Sequence, residues 1–236
     1  MTVPLTQSSL PSTGSDPSDY PEECESLEEV AAAQPAAAAA ALAFALGRLG
    51  RGCDRDRPLL LASTPGWLRE RGRFFAQGMG LNLGMRRLIW VRAEREAGAL
   101  WTLEEALKSG AVAGGLATVE QPAFVATRRL DFAARAGAAK GILLRAGPAL
   151  DLSAARRRWR IAVRPSGLAP NDAAAPGAAR LKAELVRRRD GPPGAWDLEQ
   201  ADETGHFAVV AGLADHGLDA VEPGPVRRRA ARSNAA

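Results

Sequence analysis

Ala99–Val119, ALWTLEEALKSGAVAGGLATV, is the stretch whose reading decides the fold. Leu100, Leu103, Ala106 and Leu107 fall on one face of a helix predicted over Ala97–Ser109. Gly110 stands where a helix usually stops. Val112–Val119 is small and apolar apart from Thr118, which is the composition of a strand buried on both faces. Gly114-Gly115 predicts that another element approaches its backbone closely. A helix running straight into a buried strand is half of a parallel crossover unit.

The same alternation extends in both directions. Upstream, Ala36–Leu49 is an alanine-rich helix with Pro35 suited to its first turn. Pro58–Ser63 is a buried strand, Gly66 to about Gly78 a helix, Met79–Arg86 a loop and Arg87–Arg92 a second strand. Downstream, Thr127 is expected to cap a helix over Arg128–Ala136, closed by Gly137, before a strand over Gly141–Arg145. This spacing predicts an α/β fold with a mainly parallel sheet, flanking helices and right-handed crossovers. Beyond Leu150 the period changes. Trp159–Arg164, Leu181–Arg188 and Ala195–Glu199 read as strands, and Asp190–Gly194 is a strong turn, predicting a C-terminal antiparallel hairpin. Residues 165–179 read as a loop.

A chain of 236 residues with 46% hydrophobic content suits one such domain with loose ends. We expect residues 1–22 to be a disordered acidic segment, 23–200 the folded domain and 201–236 a flexible basic tail. The net charge of +4 is uneven: residues 1–30 hold seven acidic side chains and no basic one, leaving +11 for the remainder. That balance suits an acidic partner, nucleic acid or protein, as well as a merely solvated arginine-rich exterior. Cys24 and Cys53 form no metal or disulfide pattern, which fits a reducing cytoplasm. The N-terminus lacks a signal-peptide pattern, and the longest apolar run, Ala36–Leu46, is too short for a bilayer span. The expectation is a soluble, cytoplasmic protein without a membrane partner.

The order helix, LLLAS strand, helix, RRLIWVRA strand, LWTLEEALKSGAVAGGLATV, then TRRLDFAARAGAAKGILLR resembles the ImuA family. RWRIAVRPS and LKAELVRRRDGPPGAWDLE fit that family's end region, and the resemblance covers roughly residues 27–200. It implies a RecA-like core, related to the cell-division inhibitor SulA. It also implies an accessory role in SOS-induced, mutagenic translesion DNA synthesis. The partners so implied are an ImuB-like, Y-family polymerase-related protein and an error-prone replicative-type polymerase, with RecA or DNA as further candidates.

In a RecA-like core the phosphate loop would precede the Ala36–Leu49 helix. Such a loop needs glycines so that backbone N–H groups can cradle phosphate, and a lysine to meet its charge. Glu28–Ala36, EEVAAAQPA, has neither, nor a hydroxyl for magnesium, and Glu28 and Glu29 are expected to repel a triphosphate. Thr118 stands where a metal-linked aspartate is expected, with Glu120 as a weak substitute, and Ser63-Thr64-Pro65 replaces the catalytic glutamate. No GxSxG elbow surrounds Ser63. His206 and His216, with Asp215, lack a third ligand for a metal. No catalytic residue, cofactor site or metal site is expected, which makes the chain a pseudo-ATPase.

Arg156, Arg157, Arg158 and Arg160 around Trp159 are the best candidates for contact with DNA or a partner, and Arg187, Arg188 and Arg189 are a weaker set. Trp159 is expected to point into the core, and Trp67, Phe74, Phe75, Trp90 and Trp101 mostly likewise. In the tail, Phe207, Val209, Arg227, Arg228 and Arg229 are expected to dock a partner. The expected function is a non-catalytic adaptor in translesion synthesis. The alternative is a SulA-like inhibitor of cell division acting on a cytoskeletal GTPase.

Overall fold

The computed structural model describes residues 15–24, 26–54, 56–75, 87–148, 151–169, 172–201 and 206–210. Its strands are β1 (Leu27–Ala32), β2 (Leu59–Ser63), β3 (Leu88–Arg92), β4 (Gly114–Val119), β5 (Lys140–Arg145), β6 (Arg157–Arg164), β7 (Leu168–Ala169), β8 (Asp172–Pro176), β9 (Arg180–Arg188), β10 (Gly194–Gln200) and β11 (Phe207–Val209). The described α-helices are α1 (Ala38–Gly50), α2 (Pro65–Arg71), α3 (Glu96–Ser109) and α4 (Phe124–Ala136).

Nine strands form one sheet in the order β11-β10-β9-β6-β1-β5-β4-β2-β3. Strands β1 to β6 pair in parallel, whereas β9, β10 and β11 are added antiparallel. This is the mainly parallel sheet with antiparallel C-terminal strands expected of a RecA-like core. Both faces are covered. Phe44, Leu49, Leu61, Leu116, Ile142, Trp159 and Trp196 belong to the core on the α1 side. Leu27, Leu100, Leu103, Leu107, Leu130 and Leu143 form the core beneath α3 and α4. Each fully buried leucine contributes roughly 1.5–3 kcal/mol relative to exposure, so the two-sided burial of β1 and β4 holds the centre of the sheet.

The glycine pair of the deciding stretch works as expected. A Cβ on Gly114 would lie 2.6 Å from the Lys140 carbonyl oxygen, and one on Gly115 would lie 2.6 Å from a Leu103 methyl. Larger residues would push β5 and α3 away. Gly110 ends α3 in the left-handed region at φ 66°.

Several boundaries differ from expectation. Helix α2 stops at Arg71, where Gly72 takes φ 86°, and Gly78 lies outside the described residues. Helix α4 starts at Phe124, with Thr127 inside it. The buried Thr127 hydroxyl donates to the Phe124 carbonyl and accepts the Ala154 N–H, so it ties the helix to the approach of β6. The 165–179 loop contains the small β7–β8 hairpin.

Both expected domain ends also move. Within the segment expected to be disordered, residues 15–22 pack on the sheet. Tyr20 is buried, the Trp196 indole N–H donates to the Asp16 carbonyl at 3.0 Å, and Ser15 bonds Ala195. At the other end Phe207 and Val209 sit in β11, paired to β10, rather than in a free tail. Strand β11 pairs with the β10 edge, and Tyr20 and Phe207 join the buried core over the apolar face of the antiparallel strands. Three aromatics assigned to the core are instead exposed: Phe75, Trp90 and Trp101 at 67%, 43% and 60%.

Candidate functional site

Strand β1 meets α1 through Ala33-Gln34 and a single 3-10 turn, Pro35–Ala37. The connection is tight, with the Ala33 N–H bonded to the Ile161 carbonyl and the Ala37 N–H to the Gln34 carbonyl. It carries no glycine, lysine or hydroxyl.

Glu28 and Glu29 are not loop carboxylates. They lie within β1, both wholly buried, and as consecutive strand residues they point to opposite faces of the sheet. Glu28 accepts from Arg48 Nε at 2.6 Å and Nη2 at 2.7 Å, from the Trp159 indole N–H at 2.9 Å and from Arg157 Nη1 at 3.4 Å. Arg48 also donates to the Pro21 and Glu23 carbonyls, and its guanidinium lies 4.7 Å from the Trp159 ring centroid. Arg157 reaches outward to Asp190 at 2.6 Å. On the other face Glu29 accepts from Arg145 at 3.1 Å and Arg158 at 3.0 Å, and Arg145 pairs with Asp151 at 2.5 Å. Each buried carboxylate thus sits between two guanidiniums, and an outer aspartate balances the charge. Buried ions are tolerated on these terms, where paired and hydrogen-bonded. Burial would lower the Arg48 pKa, but the charge and hydrogen bonds of Glu28 hold it above its ordinary value. The hydrogen bonds from Arg157 hold Asp190 down at about 2.

At the carboxyl ends of β2 and β4, Ser63 and Thr118 lie side by side and both are buried. The Ser63 hydroxyl accepts the Trp90 indole N–H, and Thr64 caps α2 through the Trp67 N–H. Glu120 is exposed, and its backbone N–H donates to the Glu96 carboxylate. Among the described residues no three His, Cys, Asp or Glu side chains gather to hold a metal ion. Neither Cys24 nor Cys53 is in a disulfide, and burial raises the Cys24 pKa well above its ordinary value.

The arginine-rich segments do meet, because β6 pairs with β9 and brings Arg157 opposite Arg188 and Arg158 opposite Arg187. Their side chains divide, however. Arg157 is buried and Arg158 nearly so, both engaged by β1 carboxylates. Arg188 is half-buried, donating to the Asp19 carbonyl and pairing with Asp190. Arg160 is exposed but paired with Glu184 across the strands, and Arg164–Asp197 and Arg180–Glu199 continue that ladder. Arg156 is half-buried, while Arg187 and Arg189 are exposed, Arg187 donating to the Ser153 carbonyl. The intact arginine stripe expected from sequence is therefore replaced by structural pairs and an exposed rim. Sequence spacing missed this because the partner carboxylates are supplied by other strands. Trp159 is buried as expected, at 1% exposure. Arg227, Arg228, Arg229 and His216 lie outside the described residues.

Searched against protein-family models, the chain matches none. Over 173 residues it is 42% identical to Protein ImuA of Caulobacter vibrioides (strain NA1000 / CB15N), covering 67% of this chain and 70% of that relative. Protein ImuA of the strain ATCC 19089 / CIP 103742 / CB 15 matches to the same extent. The chain belongs to the ImuA family. Among solved structures it is similar to SulA from Pseudomonas aeruginosa, with TM-score 0.39 and 26% identity over 51% of this chain and 97% of that one. It is also similar to a DnaB-like replicative helicase described with its interactions with primase, with TM-score 0.46 and 16% identity over 79% and 58% of the two chains. No described helix of this ImuA-family chain is long and apolar enough to cross a membrane.

Proposed function

We propose that this ImuA-family chain is a non-catalytic, RecA-like adaptor in damage-induced, error-prone translesion DNA synthesis. The observation that carries the reading is the 42% identity to ImuA over 173 residues. The β1–α1 junction supports its non-catalytic half, because Ala33-Gln34-Pro35 supplies neither backbone cradle nor cation for a triphosphate. The partners of this reading are an ImuB-like, polymerase-related protein and an error-prone replicative-type polymerase. On this reading the exposed Arg187 and Arg189, with Arg156 beside them, are the groups that would contact RecA or DNA, and the segment beyond Val210 carries further basic charge for docking.

Deleting the gene and scoring mutation frequency after DNA damage tests the role. Loss of induced mutagenesis, restored by the intact chain, is expected, together with co-purification of the polymerase-like protein. Unchanged mutagenesis with filamentation on overexpression would overturn the adaptor in favour of a division inhibitor. Calorimetry with Mg-ATP should give no binding heat, and saturable binding in the micromolar range would defeat the pseudo-ATPase half.

A further inference from the structure

Large apolar side chains gather on the outer surface of α3 and α4: Trp101 on α3, with Phe124, Val125 and Phe132 on α4, all between 48% and 67% exposed. Leu152, also exposed, joins them two residues before the Ala154 N–H that bonds Thr127 of α4. The two helices run parallel, because each returns from the carboxyl end of one parallel strand to the amino end of the next. Across them Arg129 Nε donates to Glu104 Oε1 at 3.0 Å, which sets their register. Trp101, one turn before Glu104, therefore lies level with Val125, one turn before Arg129. Arg128 and Arg135 place their guanidiniums 5.8 and 4.7 Å from the Phe132 ring centroid and hold that ring in place. A fully buried aromatic covers about 150–250 Å², so the three half-exposed rings, with Val125 and Leu152, present roughly 500 Å² of apolar surface. A patch of that size on a single chain marks an interaction surface.

The charges on this face select the partner. Arg129 and Glu104 satisfy each other within the chain, whereas Glu105 on α3 and Arg128 on α4 make no ion pair among the described residues. An acid on one helix and a base on its neighbour make the face complementary to itself. A twofold axis at the level of the Arg129–Glu104 pair lays α3 of one copy antiparallel on α4 of the other. That operation brings Glu105 to the second copy's Arg128. Trp101 lies four residues before Glu105 and Phe132 four after Arg128, so the same antiparallel crossing sets Trp101 on the second copy's Phe132. Symmetry repeats both contacts. We propose that the α3–α4 face is the interface of a twofold homodimer of this chain. An interface of about 800 Å² per partner, about 65% apolar as in homodimers, draws roughly 500 Å² of apolar surface from each copy, which matches the patch. The dimer does not rest on the adaptor reading.

Sedimentation equilibrium of the full chain tests the dimer. A reversible monomer–dimer equilibrium is expected, with a dissociation constant in the micromolar range or tighter. Trp101→Ala and Phe132→Ala should each weaken it about tenfold or more. Both variants should keep the parent's circular dichroism, because these side chains are exposed in the single chain. Glu105→Arg and Arg128→Glu should each weaken dimerisation alone, through like charges brought together at the twofold contact. Mixed in equal amounts, the two variants should form a heterodimer of near-parental affinity, since every Arg–Glu contact is then restored between the copies. A contact made within one chain would not be rescued by mixing. A chain that stays monomeric to about 200 µM, or that assembles into an open series of oligomers, would overturn the proposal. So would charge variants that mixing does not rescue, or Trp101→Ala and Phe132→Ala variants that dimerise normally.

Discussion

Glu28 is the residue on which the centre of the sheet turns. Replacing it by Gln leaves Arg48 and Arg157 without their shared carboxylate in a buried setting, and breaking one partner of such a group costs about 3–5 kcal/mol. Chemical denaturation of Glu28→Gln should show that loss, and a variant within about 1 kcal/mol of the parent would show the ions to be water-accessible. Asp190 gives the pH signature of the same cluster. Its folded pKa of about 2 lies below the ordinary 3.8, so its contribution is fully present above the ordinary value and is lost as pH falls towards 2. Urea melts of Asp190→Asn and the parent should differ at pH 5 and converge as pH approaches 2. None of this was legible in EEVAAA. Two adjacent carboxylates before an alanine run read as loop chemistry, and their cations stand 20, 129 and 116 residues away at Arg48, Arg157 and Arg145. Trp101 failed for a different reason: it lies one position beyond Leu100 on α3, and the helix turns it out to solvent at 60% exposure.

The elements were more legible than the residues, wherever period and length agreed. The apolar runs of β2, β4 and β5 and the heptad-like face of α3 are signals that no long-range contact is needed to read. Strand β11 was not legible, because three residues of Phe-Ala-Val are too few to show a period and are fixed only by pairing with β10. Its anchor is Phe207, packed with the α1-side core. Phe207→Ala should cost about 3 kcal/mol, the lower end for a buried aromatic because the site is at the sheet edge. It should also raise hydrogen exchange in Leu198–Gln200. Wild-type stability with unchanged exchange would remove β11 from the cooperative unit. The β6–β9 pairing makes a related point about charge. An alanine scan of Arg156, Arg157, Arg158 and Arg160 together should now unfold the domain, because Arg157 and Arg158 neutralise buried carboxylates. The informative variant is Arg187→Ala/Arg189→Ala, which should keep the melting temperature. It should also lower the salt slope of DNA binding by roughly one unit per lost phosphate contact. An unchanged slope would leave that rim without a DNA role.

For the whole molecule, the question is where the folded unit ends and the docking segment begins. A boundary at residue 200 would cut between β10 and β11, stripping Phe207 from the core and exposing the edge of β10, including Leu198, which is wholly buried. Removing residues 201–236 therefore confounds folding with binding. Removing 211–236 leaves β11 in place and deletes Arg227, Arg228, Arg229 and Arg232. On the adaptor reading the shorter deletion should melt like the full chain yet lose capture of the polymerase-like partner. The full chain's affinity should fall with added salt, as expected when basic charge attracts an acidic surface. The longer deletion should lower the melting point as well. If the 211–236 deletion binds as tightly as the full chain at every salt concentration, docking belongs to the folded surface. The exposed rim of Arg187 and Arg189 is then the next place to look.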